Sequence, residues 1–207
     1  MQYLLNMAAG IAPSVDGVIM QAPGLAPNAS FPMPSCGADR TPVSDREHLV
    51  RSTSKTAYLT TLNFCESWIK DGRGKEILPA EMRPSFLDSP VCADRWYSLA
   101  APLDANGKPQ GSEDFFSSDL DDQTLAETFG KIPSGTPVLA LSSGDDRFMA
   151  AGLDKEALLG RWKSAAGEKF AAAVVRGASH DLGGVTAEVM DDFVGKVRGF
   201  LEAVTAD

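Results

Sequence analysis

Basic clusters, paired cysteines and long apolar runs are all missing from this 207-residue sequence. The net charge is -9, and lysine and arginine are scattered rather than grouped. Nucleic acids and anionic membrane surfaces are bound through clusters of positive charge, so we expect neither as a partner. The apolar stretches are also far too short to cross a bilayer. Apolar residues nevertheless make up 43% of the chain, which is enough to bury a core.

The cysteines are few and far apart. Cys36, Cys65 and Cys92 form no C-x-x-C pair and no Cys/His cluster. A disulfide scaffold and a zinc site are therefore not expected, and a reducing compartment is the default. The first residues, MQYLLNMAAGIAPS, carry no basic residue before their apolar core, unlike a signal peptide. We expect a cytoplasmic protein without metal or cofactor.

The first quarter of the chain contains one helix, one strand and one irregular segment. Residues 1–10 predict a buried helix that ends near Gly10, and residues 15–23 predict a buried strand closed by proline. Residues 24–42 are dense in Pro, Gly, Ala and Ser and have neither helical nor strand periodicity. This composition predicts an irregular insert.

The middle of the chain predicts helices of different lengths. One helical face approaching Lys70 is stopped by glycine and consists of Leu59, Leu62, Cys65, Trp68 and Ile69. Residues 75–130 predict short helices joined by loops that are rich in aromatic side chains. Such a segment can cover a pocket, and a small local core explains its composition equally well.

The last third is the most regular part. Apolar strands are predicted within 136–146 and 170–177, and helices over 153–167 and 186–204. The first of these helices begins with an Asp154 cap. The alternation of strands and helices along the chain indicates parallel strands that are covered on both faces. The fold class is therefore α/β.

Polar side chains follow both of these strands. Asp145 and Asp146 follow the first strand, and His180 follows the second. Catalytic groups of open parallel sheets lie at the carboxyl ends of strands, and acid before histidine is the order of the α/β-hydrolase triad. Taken singly, an aspartate there is usually a turn residue and a histidine usually packs. Their order across one helix favours an acid–base pair, whereas His48 is expected to be a solvated surface residue.

The third member of a triad has no candidate motif. The nucleophile elbow G-x-S-x-G is absent from the sequence. Thiol or metal chemistry is a weaker alternative, because Cys65 and Cys92 have no histidine near them in sequence and Cys36 lies in the irregular insert.

Several longer motifs carry a family resemblance. They are AP–VSDRE (22–23 joined to 43–47), DGRGKEILP (71–79), FFSSDL (115–120), LDKEALLGRWK (153–163) and GASHDL (177–182). Together they resemble a fungal family of α/β-hydrolase-like proteins that includes esterases of fusarinine-type siderophores. The resemblance runs from residue 1 to about 204. It implies that Asp146 is the triad acid, Asp145 its neighbour and His180 the base.

The same resemblance implies two departures from the family. The family nucleophile lies in a G-H-S-T-G elbow that leads into a helix matching MQYLL, so that elbow would precede Met1. Residues 24–42 interrupt a segment that is continuous in the relatives. We therefore expect one partial α/β-hydrolase domain over 1–207, N-terminally truncated, which consists of the C-terminal parallel strands and helices, with residues 43–130 as its cap.

Two functions stay open from the sequence. The first is a serine-hydrolase-type esterase that acts on a small-molecule ester, with siderophore esters as one candidate and with the nucleophile elbow missing from this chain. The second is a catalytically inactive remnant or a binding protein, which the missing elbow favours. In a complete enzyme, His180 would protonate the departing alkoxide.

Overall fold

The computed structural model describes residues 1–22, 54–83, 90–146, 148–150 and 152–206. The chain forms two compact units. The sheet unit comprises Met1–Pro23, Asp121–Arg147 and Asp154–Asp207, and the helical unit comprises Gly24–Leu120 and Phe148–Leu153. The predicted insert 24–42 lies outside the described residues.

The sheet unit contains three parallel strands in the order β1-β2-β3. Their bounds are Val18–Gln21 for β1, Val138–Ser143 for β2 and Phe170–Val175 for β3. Val138 pairs with Val18 on one side and with Phe170 on the other. The parallel arrangement confirms the α/β class predicted from the alternation of strands and helices.

Burial differs between the two longer strands. Every residue of β2 is buried, as expected for a central strand with both faces covered. In β3 only Phe170 and Val175 are buried, and Ala171 is exposed. The expectation that both strands are covered on both faces is therefore wrong for β3. Within the described sheet β3 is an edge strand, and its alanines leave part of its surface open.

Helices α1 (Gln2–Ala8), α4 (Asp122–Thr128), α5 (Lys155–Ala166) and α6 (Ala187–Thr205) complete the sheet unit. Asp154 caps α5 by accepting a hydrogen bond from the Ala157 amide at 2.9 Å, as its sequence predicts. Gly167 ends α5 with a φ of +92°, a conformation that favours glycine.

Two apolar clusters hold α5 and α6 on the sheet. The α6 stripe packs against the cluster of Leu139, Leu141, Val175 and Ala178, and its members are Val189, Phe193, Val197 and Phe200. On α5, the Trp162 ring stacks on Phe129 at a centroid distance of 5.2 Å. Phe129 also meets Phe170 of β3 edge to face at 5.7 Å. Burying these three rings is a major source of stability for the unit.

The N-terminal helix is less buried than its sequence predicts. Helix α1 makes about two turns, and only Leu4 of its residues is buried. Tyr3 is 44% exposed. An apolar composition does not by itself determine how many faces of a short helix are covered.

The helical unit is organised by α2 (Lys55–Lys70) and α3 (Ala93–Ala100), with a short 3-10 helix at Ala80–Met82. Its core contains Tyr58, Leu62, Cys65, Leu78, Ala93, Trp96, Ala100 and Phe148. Leu62 and Cys65 lie on the face predicted from the sequence, but Leu59 is 41% exposed. The buried stripe runs through Tyr58 instead, whose hydroxyl donates to the Ala100 carbonyl at 2.5 Å. No helix within the described residues is both long enough and apolar enough to cross a membrane.

Candidate functional site

The site lies at the carboxyl ends of β2 and β3. The two strands are parallel and paired through Ser142–Val174 and Ser143–Val175, so both chains leave the sheet at the same edge. Asp146 follows β2 and His180 follows β3. The topology therefore brings together the acid and the histidine that the sequence places after successive strands.

The two side chains are in direct contact. Nδ1 of His180 lies 2.8 Å from Oδ2 of Asp146. The Asp146 side chain is 3% exposed and that of His180 is 17% exposed. An ionised carboxylate can only accept hydrogen bonds, so a neutral imidazole beside one donates from Nδ1 and keeps its lone pair on Nε2. This is the tautomer that a general base needs if it acts through Nε2.

A tight turn delivers Asp146 to this position. A Cβ atom on Gly144 would lie 2.8 Å from the Cα of Arg176 and 2.9 Å from the Val175 carbonyl oxygen, so only glycine fits there. The Gly144 amide donates to the Val175 carbonyl at 2.8 Å. Asp145 is exposed whereas Asp146 is buried, so the structure distinguishes the two aspartates. The one in contact with His180 is Asp146.

The turn that carries His180 is fixed by one hydrogen bond from β1 and by another between residues of the turn itself. The Gln21 side-chain amide donates to the His180 carbonyl at 2.5 Å. The Ser179 hydroxyl donates to the Gly183 carbonyl at 3.0 Å. Leu182 has a φ of +60°, which is uncommon for a residue with a side chain. Both contacts and this backbone conformation fix the course of the chain around the histidine.

A charged side chain that the sequence argument did not single out also reaches this edge. Lys155, the first residue of α5, donates from Nζ to the carbonyls of Ser143 and Gly144 at 2.7 and 2.6 Å. Lys155 lies within the LDKEALLGRWK motif, but nothing in that motif or in the sequence periodicity indicates this contact. The only signal was the position of the lysine directly after the Asp154 helix cap, which fixes where α5 begins.

Cys65 and Cys92, the candidates for thiol chemistry, lie in the helical unit. Cys65 is fully buried on α2. Burial raises the pKa of its thiol to about 12, so the reactive thiolate is scarce near neutral pH. No group of three or more potential metal ligands is present in the part of the chain that the structure describes.

The parallel sheet and its helices define an α/β protein in which an aspartate and a histidine are in contact at the carboxyl ends of two strands. Residues 35–202 match the family described as "Protein of unknown function (DUF1749)", and the chain belongs to that family.

Two fungal esterases are similar to this chain. The chain is 31% identical over 206 residues to the fusarinine C esterase sidJ of Aspergillus fumigatus, which covers 92% of this chain and 55% of that protein. It is 31% identical over 214 residues to the esterase AN6793 of Emericella nidulans, covering 95% of this chain and 55% of that protein. The resemblance to a fungal family that includes fusarinine esterases is thus confirmed.

A solved structure supports the same relationship. The siderophore hydrolase EstB from Aspergillus fumigatus superposes with a TM-score of 0.66 at 26% sequence identity. The match covers 93% of this chain and 58% of that chain. The present chain therefore spans about half the length of the curated relatives that it matches.

Proposed function

We propose that the chain carries the acid and the base of a serine-hydrolase-type ester hydrolase. Asp146 is the acid and His180 the base. The single observation behind these roles is the 2.8 Å contact between Asp146 Oδ2 and His180 Nδ1. Esterase relatives of the same family make ester hydrolysis the reaction that such a pair would serve.

The chemistry of the pair follows from its geometry. Asp146 holds the imidazole with the proton on Nδ1, so Nε2 can take the proton from a serine hydroxyl as that oxygen attacks the ester carbonyl. When the carbon–oxygen bond of the ester breaks, Nε2 returns this proton to the departing alkoxide. A water molecule then releases the acyl group by the same two steps. Burial of the Asp146 carboxylate strengthens its interaction with the imidazolium that forms.

The substrate proposal comes from the relatives. Two of them are named for fusarinine C or for siderophores. We infer that the substrate class is an ester of a fusarinine-type siderophore. We also propose that residues 43–130 form the cap of the domain and that residues 24–42 are an insert. The finer fold assignment, a partial α/β-hydrolase domain, belongs to the same proposal.

A non-catalytic protein is the second candidate function. It is favoured by one observation, which is that no G-x-S-x-G motif occurs among the 207 residues. Without a positioned nucleophile, the hydrolysis rate falls by several orders of magnitude. On this reading, the Asp146–His180 contact would only stabilise the two turns.

Ester hydrolysis by two proteins separates the candidates. The first is the 207-residue chain, and the second is a chimera that joins it to the part of the Aspergillus fumigatus fusarinine C esterase outside the match. A p-nitrophenyl acyl ester and a fusarinine-type siderophore serve as substrates. Our proposal predicts an inactive chain and an active chimera. A soluble, folded chimera without hydrolysis of either ester would favour the non-catalytic protein.

A further inference from the structure

The turn that carries Asp146 is anchored from two sides. On the β3 side, the Gly144 and Asp145 amides donate to the carbonyls of Val175 and Ala178 at 2.8 and 2.9 Å. These bonds engage the amides of Gly144 and Asp145. The carbonyls of Ser143 and Gly144 need donors from elsewhere, because a carbonyl buried at the end of a strand is costly to leave without one.

Lys155 supplies those donors. Its Nζ lies 2.7 Å from the Ser143 carbonyl oxygen and 2.6 Å from that of Gly144. Hydrogen bonds from a charged donor are shorter and stronger than neutral ones. Because the Asp154 cap fixes the first turn of α5, Lys155 is presented to the end of β2 from a rigid element.

The ammonium group of Lys155 interacts electrostatically with the two aspartates of the turn. Burial lowers the pKa of Lys155, and the negative charges of Asp146 and Asp145 act in the opposite direction. Both carboxylates thus favour the charged form of Lys155. Lys155 therefore joins the start of α5 to the end of β2 through its two hydrogen bonds.

We propose that Lys155 is a positioning residue that fixes the turn after β2 and thereby keeps the Asp146 carboxylate on Nδ1 of His180. The inference rests on the proposed roles of Asp146 and His180. It concerns the arrangement of the pair rather than turnover, so it can be tested on the 207-residue protein without any substrate.

The test is the tautomer of His180, measured by NMR on protein labelled with ¹⁵N in histidine. The variants are Lys155→Met, which removes the donors and keeps an unbranched stem, and Lys155→Arg, which restores a charged donor. Lys163→Met is the matched control, because Lys163 is an exposed lysine on the same helix. The chain has only two histidines, so a His48→Gln background assigns the signals.

We expect Lys155→Met to lose the low-field Nδ1–H resonance and to shift the ring ¹⁵N signals towards the Nε2–H tautomer. Lys155→Arg and Lys163→Met should keep the wild-type signals. A folded Lys155→Met protein with wild-type ring signals would overturn the proposal. Because the signal needs no nucleophile, an inactive chimera would leave this result unaffected.

A second measurement covers the case in which Lys155→Met does not fold. The ammonium protons of Lys155 in the wild-type protein should exchange with water more slowly than those of Lys163, since two carbonyls hold them. Exchange that is equally fast at the two lysines would show that the contact is not maintained in solution and would also overturn the proposal.

Discussion

Asp146 and His180 are 34 residues apart in the chain, yet Oδ2 of one lies 2.8 Å from Nδ1 of the other. The contact arises because paired parallel strands end at the same edge and each is followed by a short turn. Both side chains are largely shielded from water. Hydrogen bonds are stronger where water is excluded, so the Asp146 carboxylate can orient the His180 imidazole effectively.

The Asp154 cap should contribute measurably to the stability of the folded protein. Replacing Asp154 with Ala removes the acceptor of the Ala157 amide and should lower the free energy of unfolding by about 1 kcal/mol. Asp154→Asn, which can still cap the helix, should retain most of that stability. Urea denaturation followed by circular dichroism measures both. Equal stability of the Ala variant and the wild-type protein would show that the cap contributes nothing.

Trp162 should be among the most sensitive core positions of the sheet unit. It is 1% exposed and stacks on Phe129. Trp162→Ala should cost about 3–5 kcal/mol in unfolding free energy, through lost burial and the cavity left behind. Leu201→Ala, on a side chain that is 49% exposed, is the control and should cost far less. Similar losses for the two variants in denaturant titrations would contradict the packing described for α5.

The Cys65 thiol should resist alkylation in the folded protein. Burial raises its pKa to about 12, so at pH 8 very little thiolate forms, and the sulfur is fully covered. Iodoacetamide followed by peptide mass spectrometry should find Cys65 unmodified in the native protein and modified in guanidinium chloride. Cys92, which is only partly buried, should react sooner. Labelling of Cys65 at the rate of Cys92 in the native protein would contradict the burial of α2.

Deleting residues 24–42 should leave the melting temperature unchanged or raise it. The segment has no apolar period with which to contribute to a core, and shortening an irregular segment reduces the entropy lost on folding. Differential scanning calorimetry of the deletion variant provides the test. A clearly lower melting temperature would show that these residues pack against the fold.

The local sequence predicted the elements of the sheet unit well because each carries its own signal. The Asp154 cap, the glycine after α5 and the α6 stripe are all determined by nearby residues. The contact between Asp146 and His180 was predictable because their order across one helix needs only the rule that parallel strands end at a common edge.

Long-range burial was harder to predict. Three residues are more exposed than their sequence predicts, namely Tyr3 on α1, Leu59 on α2 and Ala171 on β3. Their exposure depends on which neighbouring elements cover each face, and an apolar sequence does not show whether such a neighbour is present. Lys155 was missed for a related reason. Its contact depends on the reach of one flexible side chain to two carbonyls, and no sequence period encodes that distance.

We propose that Asp146 and His180 are the acid and the base of an ester hydrolase. The most direct test is kcat/KM for a p-nitrophenyl acyl ester, measured on the chimera with the fusarinine C esterase. The variants are His180→Ala and Asp146→Ala, with Asp145→Ala and His48→Ala as matched controls. We predict a loss of roughly 10⁴-fold or more for His180→Ala and about 10³- to 10⁴-fold for Asp146→Ala. The two controls should remain near the activity of the parent chimera. Hydrolysis by the His180→Ala chimera at the rate of the parent chimera would show that His180 is not the catalytic base.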